Sequence, residues 1–218
     1  MDLHLIPGLG ADGRLFDRLD LEGHTAKYHA WPAMSNRPSL QDLARALARD
    51  VDIAKPHVLI GVSMGGMVAQ EMAAITRPLR VIIISSWKSS SEMPRKIKVL
   101  RGLHPERVLT DTMVRRVVPI VRVLRYTLGL EDRASQELGQ QMLESFSASD
   151  LRAMMNAVMQ WGGPAAPVEN LVHIHGDKDR LMPLRLIKDP IVVRGGTHFM
   201  TFSKAVEVSA AIRRALES

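Results

Sequence analysis

Apolar residues along this chain fall into two alternating patterns. Short, nearly unbroken runs occur at Leu3–Ile6, Val58–Ile60, Val81–Ile84, Leu171–His175 and Ile191–Val193. They have the length and β-branched content of strands covered on both faces. Between them, apolar positions recur every three or four residues. Leu40, Leu43, Ala44, Leu47 and Val51 mark one face of a helix that starts at Pro38-Ser39 and ends before Pro56, and Met64, Met67, Val68, Met72 and Ile75 mark a second. A short helix is expected from Arg14 to Leu19. One more strand is expected around Ala26 to Ala30, where a polar segment flanked by His24 and His29 gives the weakest strand signal. Strands alternating with helices at this rhythm predict right-handed βαβ units and a parallel sheet with helices on both faces.

The rhythm breaks after Trp87. From there to Gly163 no strand pattern occurs, and the periodicity predicts helices at about 94–103, 105–128 with a break at Pro119, 133–146 and 149–161. Ser147-Ala148-Ser149-Asp150 has the form of a capping box for the last. Residues 1–87 and 164–218 are thus expected to form the core and 88–163 a helical insertion, within one compact domain. Met93, Met113, Met142, Met154, Met155 and Met159 lie in the insertion. Met154 and Met155 share helical spacing with Leu151 and Val158, which predicts a packing stripe with some members lining a pocket ceiling.

The 218 residues are 46% hydrophobic, enough for a sizeable core. Cysteine is absent, which excludes disulfides, a thiolate nucleophile and a cysteine metal site. No run approaches the ~18 apolar residues of a membrane span, and no basic and apolar leader precedes the first strand, so a cytoplasmic protein is expected. The net charge of +6 is concentrated in one place. Between Lys88 and Arg125 there are ten basic residues, among them Arg107, Arg115 and Arg116, against the acids Glu92, Glu106 and Asp111. A solvated helix face over a packed one explains this most simply; a weak attraction for anionic substrates or surfaces is the sharper reading. With 4% aromatic residues and no recognition motif, nucleic acid is not an expected partner. His4, His57, His104, His173 and His175 are read as packed side chains, with His173 and His175 expected on opposite faces of their strand. No metal is predicted, and Gly8-Leu9-Gly10 does not extend into a dinucleotide-binding loop.

The chemistry centres on residues 57–73. A buried strand turns through Gly61-Val62-Ser63-Met64-Gly65-Gly66 straight into a helix, and a serine at such an apex needs neighbours without side chains, which Gly61 and Gly65 supply. Ser63 would then expose its hydroxyl beside the N–H of Met64. The strand ending at His175 runs into Gly176-Asp177-Lys178-Asp179, and the one ending at Val193 into Gly195-Gly196-Thr197-His198. Three strand ends thus carry serine, acid and histidine in order.

In these motifs the chain resembles the α/β-hydrolase-fold superfamily, over nearly its whole length. The resemblance implies an α/β-hydrolase fold with about six parallel strands, without the first two strands of the family, and a helical cap at 88–163. It implies a triad of Ser63, Asp179 and His198, with Asp177 in reserve because Gly176 to Pro183 fits the family's acid loop best through Asp179. It also implies an oxyanion hole made by the backbone N–H groups of Leu9 and Met64. Pro7 stands where the family usually has a histidine. The expected activity is cofactor-free cleavage of a small-molecule acyl ester through an acyl-enzyme on Ser63. Acyl transfer, thioester cleavage and a non-catalytic ligand-binding role on the same fold are the alternatives.

Overall fold

The computed structural model describes residues 1–34, 38–102 and 121–217. Six strands, β1 (Asp2–Ile6), β2 (Thr25–Tyr28), β3 (His57–Val62), β4 (Arg80–Ile84), β5 (Leu171–Gly176) and β6 (Ile191–Val193), form one sheet in the order β2-β1-β3-β4-β5-β6. Every pairing is parallel. The expected α/β-hydrolase sheet is therefore present. Register aligns the strand ends: Ile6 lies opposite Gly61, Val62 opposite Ile84, Ile84 opposite Ile174, and Gly176 opposite Val193. The loops after β1, β3, β5 and β6 consequently open on one edge. The order reverses between β1 and β3, since β2 follows β1 to one side and β3 lies on the other. In an open α/β sheet that reversal leaves a crevice beyond the carboxyl ends of the two strands.

Alternation within the strands divides the core into two layers. Leu59, Val81 and Ile83 face α1 (Leu40–Leu47) and α2 (Met64–Thr76), packing with Leu40, Leu43, Leu47, Met67 and Met72. Val58, Ile60, Ile82 and Ile84 face the other way, onto Phe16, Val208 and Ile212. At roughly 25 cal/mol per Å² of apolar surface removed from water, strands this fully covered supply the largest part of the folding free energy. Local signals agree with the packing, since Ser39 and Asp42 form a capping box at α1. Three local expectations need correction. The segment after β1 makes only a 3₁₀ turn, Gly13–Phe16, and does not continue to Leu19. Ile75 is 46% exposed, on the outer side of the last turn of α2, whose next residue, Thr76, is 2% exposed. His173 and His175 share one strand face, as any residues two apart in a strand must, and their rings touch at 3.2 Å.

Residues 88–163 connect β4 to β5. Their described helices are α3 (Arg95–Gly102), α4 (Val121–Leu128), α5 (Arg133–Glu144) and α6 (Ala148–Gln160). The capping box of α6 is present at Ser147 and Asp150. Met93, Met142 and Met154 are buried, whereas Met155 is exposed. Three basic side chains of the segment donate to backbone carbonyls: Lys88 to Lys188, Lys98 to Ser91, and Arg101 to Gln160 and Trp161 at the end of α6. A cation at a helix C-terminus satisfies orphan carbonyls and complements the helix dipole. His104, Arg107, Met113, Arg115, Arg116 and the break expected at Pro119 lie outside the described residues. Among the described residues, no helix is long and apolar enough to cross a membrane.

Candidate active site

Ser63 sits between β3 and α2 with φ 53° and ψ −119°. A non-glycine residue there costs on the order of 1–3 kcal/mol, which the surroundings must over-determine. They do so from three sides. The Ser63 N–H donates to Ile84 O at 2.9 Å, and the Ser63 carbonyl accepts from Ser86 Oγ at 2.7 Å and from Gly66 N at 3.0 Å. The flanking glycines are steric requirements. A methyl group on Gly61 would stand 2.2 Å from Gly65 O, and one on Gly65 would stand 2.2 Å from Ile6 O. Strand, helix and first strand thus close around the serine. The part played by Ser86 was not foreseen, because nothing in its local pattern distinguishes it from Ser85.

The loops after β5 and β6 meet just as closely. A methyl group on Gly176 would lie 2.2 Å from Gly196 O, and Lys178 N donates to that same carbonyl at 2.8 Å. This contact brings Asp179 to His198, with Asp179 Oδ2 2.8 Å from His198 Nδ1. The carboxylate can only accept, so Nδ1 carries the proton and Nε2 presents its lone pair to the Ser63 hydroxyl, 3.1 Å away. Asp179 is 4% exposed. Its burial favours the neutral acid, but the His198 charge and hydrogen bond, with the N–H of Met182, outweigh that and hold its pKa below the ordinary carboxylate value. Its other oxygen accepts from Leu181 N at 2.9 Å and Met182 N at 2.8 Å. Asp177 is exposed and accepts from Gly195 N at 2.7 Å, tying the two loops together away from the histidine.

Beneath Asp179 lies a pair that sequence reasoning treated as bystanders. His175 Nε2 donates to Met182 O at 2.7 Å and stands 3.8 Å from Asp179 Oδ2. With that proton on Nε2, neutral His175 accepts at Nδ1 from His173 Nε2. Burial, and then the neighbouring imidazole, push the pKa of His173 down to about 3; burial lowers that of His175 as well. The two neutral rings brace the turn that supplies both N–H groups to Asp179. Their shared strand face was the available signal.

Two backbone segments lie beside Ser63. Met64 begins α2, so its N–H has no helical partner and lies at the positive end of the dipole. Gly8 comes from the β1 loop, and a methyl group on it would lie 3.4 Å from Ser63 Cβ. Above this loop the inserted helices close in: Leu9, Leu143 and Phe146 pack against Ala148 and Leu151. Among the described residues, no three His, Asp or Glu side chains are arranged to hold a metal ion. An open groove of about 340 Å³, lined by Glu71, Arg77, Pro78, Pro167 and Asn170 among others, lies at the amino ends of β4 and β5, away from Ser63.

A strained serine after β3 thus faces a histidine and an acid from the ends of β6 and β5. A sequence model of the alpha/beta hydrolase family matches residues 2–211, and the chain belongs to that family. Individual solved structures bear out the fold. An esterase from Thermogutta terrifontis, with malate bound, superposes with a TM-score of 0.72 at 16% identity, covering 100% of this chain and 89% of that one. The enol-lactonase from Burkholderia xenovorans LB400 gives 0.73 at 15% identity, covering 100% and 91%. A type II thioesterase from the yersiniabactin biosynthetic pathway gives 0.69 at 19% identity, covering 98% and 92%. No curated protein matches the sequence.

Proposed function

We propose that this protein is a serine hydrolase that cleaves carboxylic esters of small acyl substrates through an acyl-enzyme on Ser63. The observation that carries this reading is the unbroken hydrogen-bonded chain from Ser63 Oγ through His198 to Asp179. A serine hydroxyl is a poor nucleophile at neutral pH unless a base takes its proton during attack. His198 Nε2 removes that proton as Oγ adds to the ester carbonyl, and Asp179 holds the tautomer and stabilises the imidazolium. The oxyanion that forms is received by the N–H groups of Met64 and Leu9, each worth about 3 kcal/mol at the transition state. His198 returns the proton to the departing alcohol. Water, activated by the same imidazole, then releases the acid. Esterase, lactonase and thioesterase, the names of the structural neighbours, all describe acyl groups leaving oxygen or sulfur for water, which is consistent with this scheme. The apolar side chains of Leu9, Leu143, Phe146 and Leu151 favour an apolar acyl group over a charged one.

The test uses a fluorophosphonate probe with p-nitrophenyl esters of increasing chain length. Labelling on Ser63, with parallel loss of ester cleavage, is expected. Full cleavage after complete labelling elsewhere would contradict the proposal.

A further inference from the structure

The side chain that holds the second oxyanion donor in place lies far from the triad in sequence. The carbonyl of Gly8 accepts two hydrogen bonds, from Ala11 N at 3.2 Å within its own loop and from the indole Nε1 of Trp31 at 3.1 Å, reaching across from the segment after β2. Gly8 O and Leu9 N–H belong to the same peptide plane and point in opposite directions, as in any trans peptide; the chain contains no cis bond among its described residues. Fixing the carbonyl therefore fixes the direction of the N–H. The loop has few other means of staying put. Pro7 has no N–H to contribute, Gly8 has no side chain, and Gly10 follows with φ +64°. Trp31 itself is anchored, since it packs with Leu9 and Met34 against the core formed by α1 and α2.

We infer that Trp31 is a positioning residue for the oxyanion hole, its indole N–H orienting the Gly8–Leu9 peptide so that Leu9 N–H faces the oxyanion formed at Ser63. This inference rests on the acyl-enzyme reading above and deepens it. Electrostatic stabilisation depends on donors already aimed when charge develops, so a peptide free to rock loses transition-state binding while ground-state binding is kept.

Trp31→Phe keeps the ring and removes the donor. With activity counted per fluorophosphonate-labelled serine, so that unfolded molecules do not contribute, kcat for p-nitrophenyl butyrate is expected to fall about tenfold with KM within about twofold. That loss is smaller than the ~10²–10³ recorded for deleting a whole donor. Affinity for an alkyl boronic acid, which becomes tetrahedral on serine, should fall in parallel, and affinity for the product carboxylate should not. A second variant, Trp31→His, retains a ring N–H and should recover part of kcat if the hydrogen bond is what matters. Unchanged kcat and boronate affinity per labelled site in Trp31→Phe would overturn the inference, as would an equal loss of boronate and carboxylate binding. Ser63→Ala separates the two claims: if it still cleaves the ester, the acyl-enzyme reading fails; if it is inactive while Trp31→Phe keeps the wild-type kcat and boronate affinity, only the role of Trp31 fails.

Discussion

The sheet edge and the inserted helices both border the loops that surround Ser63, but through different material. At the sheet edge the close contacts are backbone on backbone: Gly61 against Gly65, Gly65 against Ile6, Gly176 against Gly196, each leaving no room for one methyl group. On the inserted side the neighbours are the ends of branched side chains, with Leu143 and Leu151 reaching to about 3 Å from where a methyl group on Gly10 would stand. Backbone contacts cannot be relieved by a rotamer change, whereas a leucine tip can swing aside. The sheet edge is therefore the fixed side of this region and the insertion the adjustable one.

Substitutions can break that contrast, and the largest effect belongs to Gly65→Ala. The added methyl would meet the carbonyls of Ile6 and Pro7 at 2.2 and 2.3 Å, so β1 and α2 must separate. Loss of more than about 3 kcal/mol of stability and of measurable turnover is expected, read by denaturant unfolding and ester cleavage. Near wild-type behaviour would mean the edge is softer than its contacts imply.

Next in size is the pair of acids. Asp179→Asn removes the group that holds the His198 tautomer and is expected to lower kcat by about 10⁴, as the same change does in a serine protease triad. Asp177→Asn loosens only the bond to Gly195 N and should cost under tenfold. Steady-state kinetics on both variants decides it, and the reverse ranking would move the triad role to Asp177.

The insertion should answer more mildly and differently. Leu143→Ala opens space beside Leu9 without touching a hydrogen bond of the triad, so the optimum in a p-nitrophenyl ester series should move to longer acyl chains while turnover of the best ester stays within about tenfold. Discrimination of one methylene by an apolar pocket is worth ~10–200-fold, which sets the size of the shift to look for. Uniform loss across the series would place Leu143 among the fixed groups after all.

The smallest effect concerns acid. His4 Nδ1 lies 2.8 Å from His29 Nε2, with His57 edge-on at 5.8 Å between the ring centroids. Burial, then the neighbouring imidazoles, push His4 down to about 4, with Lys27 adding to the shift and Asp2 opposing it; burial lowers His29 too, opposed by Asp50 and helped less by Lys27. Histidines depressed in the folded chain take up protons on unfolding. Their contribution is complete above the unfolded value of ~6.5 and is lost as pH falls from there toward 4. The Tm should drop by several degrees between pH 6.5 and 4.5, a window in which lowered carboxylates such as Asp179 are still ionised and contribute little to the slope. A flat Tm across it would show that these rings protonate without cost.

Much of this was legible in the sequence for a physical reason. Strands covered on both faces must be largely apolar, so β1, β3, β4 and β5 stand out despite their histidines, and the short edge strand β6, with Val192 exposed, stands out by its β-branched run. Ser63, Asp179 and His198 each follow such a run, and for that reason their meeting at one edge could be read from order alone. Contacts set by chain paths over the surface left no such mark. Trp31 reaches Gly8 because of where the loop after β2 passes, and Ser86 reaches the Ser63 carbonyl because β4 ends beside β3. The brace of His173 and His175 was readable in principle from the two-residue period, but assigning the rings to opposite faces hid it.

The central claim is that Ser63 becomes acylated, and rapid-quench kinetics with p-nitrophenyl acetate tests it most directly. Mixing enzyme with excess ester should release a burst of p-nitrophenol approaching one equivalent per labelled site, and peptides from the quenched enzyme should carry one acetyl group on Ser63, with neither signal in Ser63→Ala. Ester cleavage that persists in Ser63→Ala, or a burst whose acetyl group sits on another residue, would contradict the account.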